Sequence, residues 1–402
     1  MKAFYTKRSF IRPLLFWVGG VGLQLNCPEI PWALLLSAMV LLLLIGSGWC
    51  RQDGFHAGNL FSWGYAFALL LMASAAFVTT VSARYQPDVS RETLLDHPLR
   101  SQLLARADQL RLTQEERSVL VAMTLGERRQ MPRETRRSFA LSGVSHVLAV
   151  SGFHVAIVCG LVVACLRRFN QWRWRWLTLF IILASLWGYL LLTGLAPSAV
   201  RAGIMLSFVL FTRYRWQNYD SYNSLAATAF CMLVFNPYYL LDIGFQLSFV
   251  AVFFILWLQP LFLYWLPIRS RLLAFPCHSL CIALAAQLGT AGLTLYHFGR
   301  FSWLFLFTNL PVTSFSLLLV PLGLIWLLWP STWWGSSLLQ EGVELLTRGM
   351  CTCVTRFSQV PGADWEVSFG GVALVLYYVV VVFICHQLLQ KVKVTGNKNR
   401  AE

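Results

Sequence analysis

The chain has 402 residues, 57% of them hydrophobic and only 12% charged, whereas an ordinary soluble domain carries about 25% charged residues. That balance excludes a water-soluble globular fold and places the chain in a membrane. The net charge of +15 suits nucleic acid, but an excess of Lys and Arg in cytoplasmic loops also orients membrane helices, so charge alone names no partner.

A helix needs about 20 largely apolar residues to cross a bilayer, because lipid offers its backbone no hydrogen-bond partners. In chain order the apolar stretches are 11–25, 32–50, 60–81, 144–165, 176–195, 199–212, 223–235, 245–266, 280–296, 303–329 and 372–386. They predict an all-α, polytopic transmembrane helix bundle of about nine to eleven spans with broken or re-entrant helices. The first stretch follows Lys2, Lys7, Arg8 and Arg12 in the manner of a secretory signal. A second span starts almost at once with no small-residue cleavage site between them, so an uncleaved helix is expected. The ten cysteines form no C-x-x-C pair, and neither a disulfide, a metal nor a cofactor is expected.

The N-terminal transmembrane helices, 1–83, precede a polar tract, 84–142, that is expected to be helical, outside the membrane and free of any β-barrel. Within it Leu99, Leu103, Leu104, Ala107 and Leu110 recur at helical spacing, predicting an amphipathic helix over 98–112. Thr113-Gln114-Glu115-Glu116 is a capping box, in which the Thr hydroxyl and the Glu carboxylate satisfy free amides of a second helix. Gly126 suits a left-handed stop and Pro132 bars simple continuation. Arg128, Arg129, Arg133, Arg136 and Arg137 then form a basic cluster just before the chain re-enters the membrane.

Basic residues set the expected orientation. Lys2 to Arg12 hold the N-terminus inside, and Arg167, Arg168, Arg173, Arg175, Arg213, Arg215, Arg269 and Arg271 mark later inner turns. The alternation fails after Tyr296, where two single crossings would leave the basic tail, 391–402, outside with Lys391, Lys393, Lys398 and Arg400. Three readings stay open: Pro311, Pro321 and Pro330 break 303–329 so that it enters and leaves on one face, 338–357 crosses, or the tail lies outside.

Polar residues inside apolar stretches carry the functional argument, because each costs free energy unless it faces protein or water. His146, Ser151 and His154 fall within 144–165. On one continuous helix they would share an arc of roughly 140°, beside which Gly152 permits close approach. Interhelical hydrogen bonding alone is the competing reading. Ser198 and Arg201 follow Pro197 in a break that leads into a helix; the guanidinium either snorkels to the headgroups or faces the interior. Asp242 precedes the 245–266 stretch and can cap it or pair with Arg201, while Gly244 and Gln246 follow. Gln287 and Asn309 place amides within apolar runs, as pore lining or as interhelical contacts.

In order, the blocks G-x-x-H-x-L-A-x-S-G-x-H, P-S-x-x-R-A-x-x-M and D-I-G-F-Q-L-S-F, with the late Gln and Asn-Leu-Pro segments, resemble the ComEC competence family over about residues 115–325. The resemblance implies a polytopic channel in the bacterial cytoplasmic (inner) membrane that admits single-stranded DNA during natural transformation, with 143–390 as its channel domain. It marks His146, Ser151, Gly152, His154, Ser198, Arg201, Asp242, Gly244 and Gln246 as path candidates, to which Gln287 and Asn309 are added. Implied partners are single-stranded DNA, membrane lipid and other competence proteins supplying delivery, strand degradation or a motor. Relatives also carry an OB-like insertion and a metallo-β-lactamase-like domain. Here the polar tract is short and the seven histidines contain no H-x-H-x-D-H cluster, so nuclease action, and enzyme action generally, is not expected of this chain.

A strand carries one negative charge per nucleotide, and the arginines at 128–137 with Arg201 suit its approach. Two other classes compete. A permease for another solute shares the polar interior. An intramembrane enzyme using His154 as base for Ser151 lacks a visible orienting group.

Overall fold

The computed structural model describes residues 10–50, 58–84, 98–167, 174–214, 220–266, 270–330, 335–362 and 364–398. Lys2, Lys7, Arg8, Arg168, Arg173, Arg215, Arg269, Arg400 and positions 85–97 of the polar tract lie outside the described residues, as do the side chains of Arg271, Lys391, Lys393 and Lys398. Among the described residues the fold is helical apart from one small strand pair. Two compact units form, Met1–Val89 with Arg215–Phe249, and Ser90–Tyr214 with Val250–Glu402. They cut across the linear division into N-terminal helices, polar tract and channel domain.

The first unit contains α1 (Ile11–Asn26), α2 (Trp32–Cys50), α3 (Gly58–Arg84), α10 (Ser221–Phe235), a 3-10 turn at Pro237–Leu241 and the first turns of α11 (Ile243–Trp265). α1 packs on α3 where Gly20 faces the Met72 backbone: a Cβ there would sit 2.8 Å from the Met72 Cα, so only glycine lets the helices approach this closely. Asn223 ties α10 to the start of α1 by accepting from the Phe10 N–H at 2.9 Å. Trp17 meets Phe230 edge-on.

The second unit opens with α4 (Pro98–Ala107), α5 (Gln114–Leu125) and α6 (Arg133–Leu141). The capping box forms: Thr113 Oγ1 accepts from the Glu116 N–H and Glu116 accepts from the Thr113 N–H, while Gly126 stops α5 at φ 73°. The buried face of α4 differs from the expected one. It is Arg100, Leu103 and Ala107, with Leu99 exposed and the helix ending at Ala107. Arg100 is 1% exposed because it donates to the Leu125 carbonyl and pairs with Glu127 at 3.1 Å, placing a cation at the negative end of α5. Every residue of α5 from Val119 to Leu125 is buried, packed into one core with apolar residues of the later helices. The α5 segment of the polar tract is thus part of the unit's core.

The rest of the second unit is α7 (Gly152–Leu166), α8 (Arg175–Leu192), α9 (Pro197–Tyr214), the remainder of α11, α12 (Arg271–Phe298), β1 (Arg300–Ser302), α13 (Phe305–Leu328), α14 (Ser336–Ser358), β2 (Asp364–Glu366) and α15 (Gly371–Lys398). β1 and β2 pair antiparallel, Phe301 opposite Trp365. Among the described residues six helices are long and apolar enough to cross a membrane, at Tyr65–Ala83, Arg175–Leu192, Ile243–Trp265, Leu273–Phe298, Phe305–Leu328 and Gly371–Leu388; Trp32–Leu42, Gly152–Leu166 and Ser221–Phe235 are shorter apolar helices. This is a multi-pass helical membrane protein.

Two expectations for the spans are corrected. Pro311 and Pro321 lie inside one continuous helix, so 303–329 does not enter and leave on one face. Thr308, Val312, Ser316, Leu319 and Val320 are among its buried residues, and packing against protein lets neighbours compensate the carbonyls that proline frees. The 144–165 stretch, in contrast, is not one helix. It divides into a 3-10 turn, Ser145–Leu148, an extended link and α7. α14 carries Glu341, Glu344, Arg348 and Arg356 along its length and does not meet the length-and-apolarity test of a crossing.

Candidate functional site

The break before α7 has a local cause. Gly143 leaves α6 in the left-handed region, φ 78°, and Ala149 and Ser151 are extended. Ser151 is the N-cap of α7, and the Nδ1 of His154, three residues on, accepts from the Ser151 N–H at 3.2 Å. Ser151-x-x-His154 therefore acts like Thr113-x-x-Glu116, with imidazole replacing the carboxylate as acceptor. That spacing was legible in the sequence and was missed. In consequence His146 and His154 do not share a helix face, and the arc that placed them together with Ser151 does not exist.

Tertiary contacts bring these residues together by another route. The His146 side chain, exposed on the 3-10 turn, lies close to the side chain of Asn309 on α13 and within electrostatic reach of His154. His154 is 1% exposed and lies beside the backbone of Ala149. Ser198, in the first turn of α9, donates to the Val150 carbonyl at 2.7 Å. A Cβ at Gly152 would lie 3.3 Å from the Ala202 Cβ, so the start of α7 abuts α9 directly. Arg201, between these contacts in sequence, is 4% exposed. It is buried in protein and does not snorkel.

The junction is braced from the other side. A Cβ on Gly143 would come within 2.8 Å of the Phe305 Cβ, and Ser302 donates to the Leu141 carbonyl at 2.7 Å. Both contacts hold the end of α6 against the chain that leads into α13. Arg128, Arg129, Arg133, Arg136 and Arg137 are all exposed, on α6 and the loop before it. α6 thus joins an arginine-rich surface to the broken segment.

The remaining candidates are placed elsewhere. Asp242, Gly244 and Gln246 belong to the first unit, where Asp242 caps α11 by accepting from the Phe245 N–H at 2.6 Å and Gln246 donates to the Leu240 carbonyl at 2.9 Å. Gln287 is half-buried on α12, next to the Leu288 and Gly289 carbonyls that accept from the hydroxyls of Tyr377 and Tyr378 on α15. The carbonyl of Val150 and the close packing of Phe305 had no signal in the sequence, since both depend on which segments meet.

The family model described as "Competence protein" matches residues 123–392. The chain is 30% identical over 231 residues to "ComE operon protein 3" of Bacillus subtilis (strain 168), covering 56% of this chain and 27% of that protein. It is 32% identical over 141 residues to an uncharacterized protein of Aquifex aeolicus (strain VF5), covering 35% and 33%. With the uncharacterized protein YcaI of Escherichia coli (strain K12) it shares 26% identity over 162 residues, covering 38% and 21%. The chain therefore spans a third or less of the length of these relatives. No solved structure matches it significantly.

Proposed function

This chain belongs to the competence protein family, and from that premise we propose that it forms a path for single-stranded DNA across the bacterial cytoplasmic membrane during natural transformation. The observation that carries this reading is the broken polar segment between α6 and α7. Irregular backbone and ionisable side chains inside an apolar bundle are tolerated where they are buried in protein or line a water-filled cavity. Here the break brings His146, Asn309, Ser151, His154, Ser198 and Arg201 to one junction, and the exposed arginines of 128–137 adjoin it in the chain. A basic surface leading to a polar, sequence-indifferent lining is what passage of a strand requires. Other competence proteins would supply DNA delivery, strand degradation or a motor.

Catalysis is not part of this proposal. A serine nucleophile needs the base at its hydroxyl, whereas the imidazole of His154 is held by the Ser151 backbone N–H.

The test is DNA uptake in a deletion strain complemented with variants. Arg201→Gln should insert normally and reduce uptake. Arg201→Lys should retain part of it, since charge is kept and the planar fork lost. Normal uptake by a well-expressed Gln variant would remove Arg201 from the path. Retained DNA import by the deletion strain, with loss of uptake of some other solute, would favour a permease.

A further inference from the structure

Helices α5, α6 and α14 meet beside a cavity of about 530 Å³, a size within the range of small-molecule sites, about 300–1,000 Å³. α14 packs on both α5 and α6, and none of the three belongs to the helices long and apolar enough to cross a membrane. Glu115 and Glu116 line the cavity from the start of α5, Glu134 and Thr135 from α6, and Arg356 from α14. Three carboxylates against one guanidinium make it acidic. Glu115, Glu134 and Arg356 are exposed and form no ion pair among the described residues. No three His, Cys, Asp or Glu side chains among the described residues stand close enough to hold a metal ion. The carboxylates are therefore too far apart for one ion, and an occupant that reaches several of them must carry its positive charges apart.

Thr135 supplies a second, independent observation. It is 7% exposed, yet its hydroxyl has no hydrogen-bond partner. Ser138 and Phe139, three and four residues on, line the same cavity, so Thr135 stands on the face of α6 turned toward it. Other buried threonines of this unit donate to the carbonyl four residues back, Thr124 to Leu120 at 2.8 Å and Thr347 to Val343 at 2.7 Å. Thr135 makes no such bond, because it lies in the first turn of α6 and Met131, four residues back, precedes the N-cap Pro132. A buried hydroxyl left unpaired calls for a specific explanation, and the wall that carries this one faces an acidic cavity.

We propose that the cavity between α5, α6 and α14 binds an aliphatic polyamine, its ammonium groups held by Glu115, Glu116 and Glu134, with one of them donating to Thr135 Oγ1. Arg356 opposes such a cation and limits how tightly it is held. The site requires no DNA and stands or falls separately from the transport path.

The experiment is titration calorimetry of the purified full chain in phosphatidylcholine nanodiscs with spermidine, without DNA and with empty nanodiscs as the blank. Spermidine should bind about tenfold tighter than propylamine, since its further ammonium groups add charge-assisted hydrogen bonds. Glu134→Gln should weaken it about tenfold, and Arg356→Gln should tighten it about threefold. Thr135→Val, nearly the same shape, should weaken binding about three- to tenfold and resist denaturant at least as well as the parent, because an unpaired buried hydroxyl costs stability. Thr135→Ser keeps the hydroxyl and should bind like the parent. Spermidine binding no tighter than propylamine, or parent-like binding by Glu134→Gln and Thr135→Val, overturns the site. A Val variant that loses stability along with binding makes the hydroxyl structural and overturns its part in the site. Mg²⁺ should displace spermidine no more than sodium does at equal ionic strength; stronger displacement identifies a metal site and refutes the polyamine. If trilysine binds more tightly than spermidine with the same dependence on Glu134 and Thr135, the occupant is a basic peptide and the polyamine assignment falls.

Discussion

Replacing Ser198 by Ala tests the joint on which the whole junction depends. Val150 is 1% exposed and lies in the extended link before α7, so its carbonyl is outside any helical ladder. Among the described residues the Ser198 hydroxyl, at 2.7 Å, is its hydrogen-bond partner. Removing the hydroxyl leaves a buried carbonyl unpaired, which costs about 1–3 kcal/mol in soluble proteins. Side-chain hydrogen bonds between membrane helices average only about 0.6 kcal/mol, with a maximum near 1.7, because unfolded membrane helices find other partners. Alanine's better helix propensity returns at most about 0.5 kcal/mol. A carbonyl in so buried a link belongs at the upper end, so the expected loss is about 1–1.5 kcal/mol, or roughly tenfold in the unfolding equilibrium. Ser198→Thr keeps the hydroxyl and should stay within about 0.5 kcal/mol of the parent. Denaturant unfolding in detergent measures the loss, and DNA uptake reads its consequence. An Ala variant as stable and as active as the parent would show that this bond does not hold α9 to the break.

Gly143→Ala forces a side chain into the left-handed region and against Phe305; strain and overpacking together should cost about 2–5 kcal/mol, and a parent-like yield of monodisperse protein on gel filtration would refute the packing. Thr113→Ala should lower stability by about 1 kcal/mol through loss of the cap, while Glu116→Gln, which preserves the box, should be nearly silent in the same unfolding assay. Burial and then Glu116 and Glu115 push the Cys351 thiol up to about 12 from 9.0. At pH 8 it should hold about a thousandfold less thiolate than an ordinary cysteine, and iodoacetamide labelling followed by mass spectrometry should be correspondingly slow. Glu115→Gln with Glu116→Gln should lower that pKa and speed labelling; no change would show that burial alone sets it.

Several parts of this protein were legible in the residues themselves. Runs of apolar residues dictate helices wherever the backbone must satisfy itself, so the boundaries read for α2, α8 and α10 lie within a few residues of those observed, as does the start of α15. The Thr113 cap and the Gly126 stop are local chemistry, settled by side chains three residues apart or by one residue's backbone freedom. The family blocks, too, were readable as ordered strings, and the matched region reaches further toward the C-terminus, to residue 392.

Other features required the tertiary structure. Composition could not distinguish a helix through 144–165 from a break, because Val, Leu and Ala suit both; Ser151 with His154, Gly143 against Phe305 and Ser198 against Val150 decide it. The same limit hid the continuity of α13, since proline breaks a helix or is tolerated in it according to what surrounds it. The burial of Arg100 likewise depends on Glu127 and the end of α5, which only the fold brings beside it. A residue's type fixes which interactions it can make, but only the meeting of distant segments fixes which of them it makes, and for buried polar groups that choice decides both stability and role.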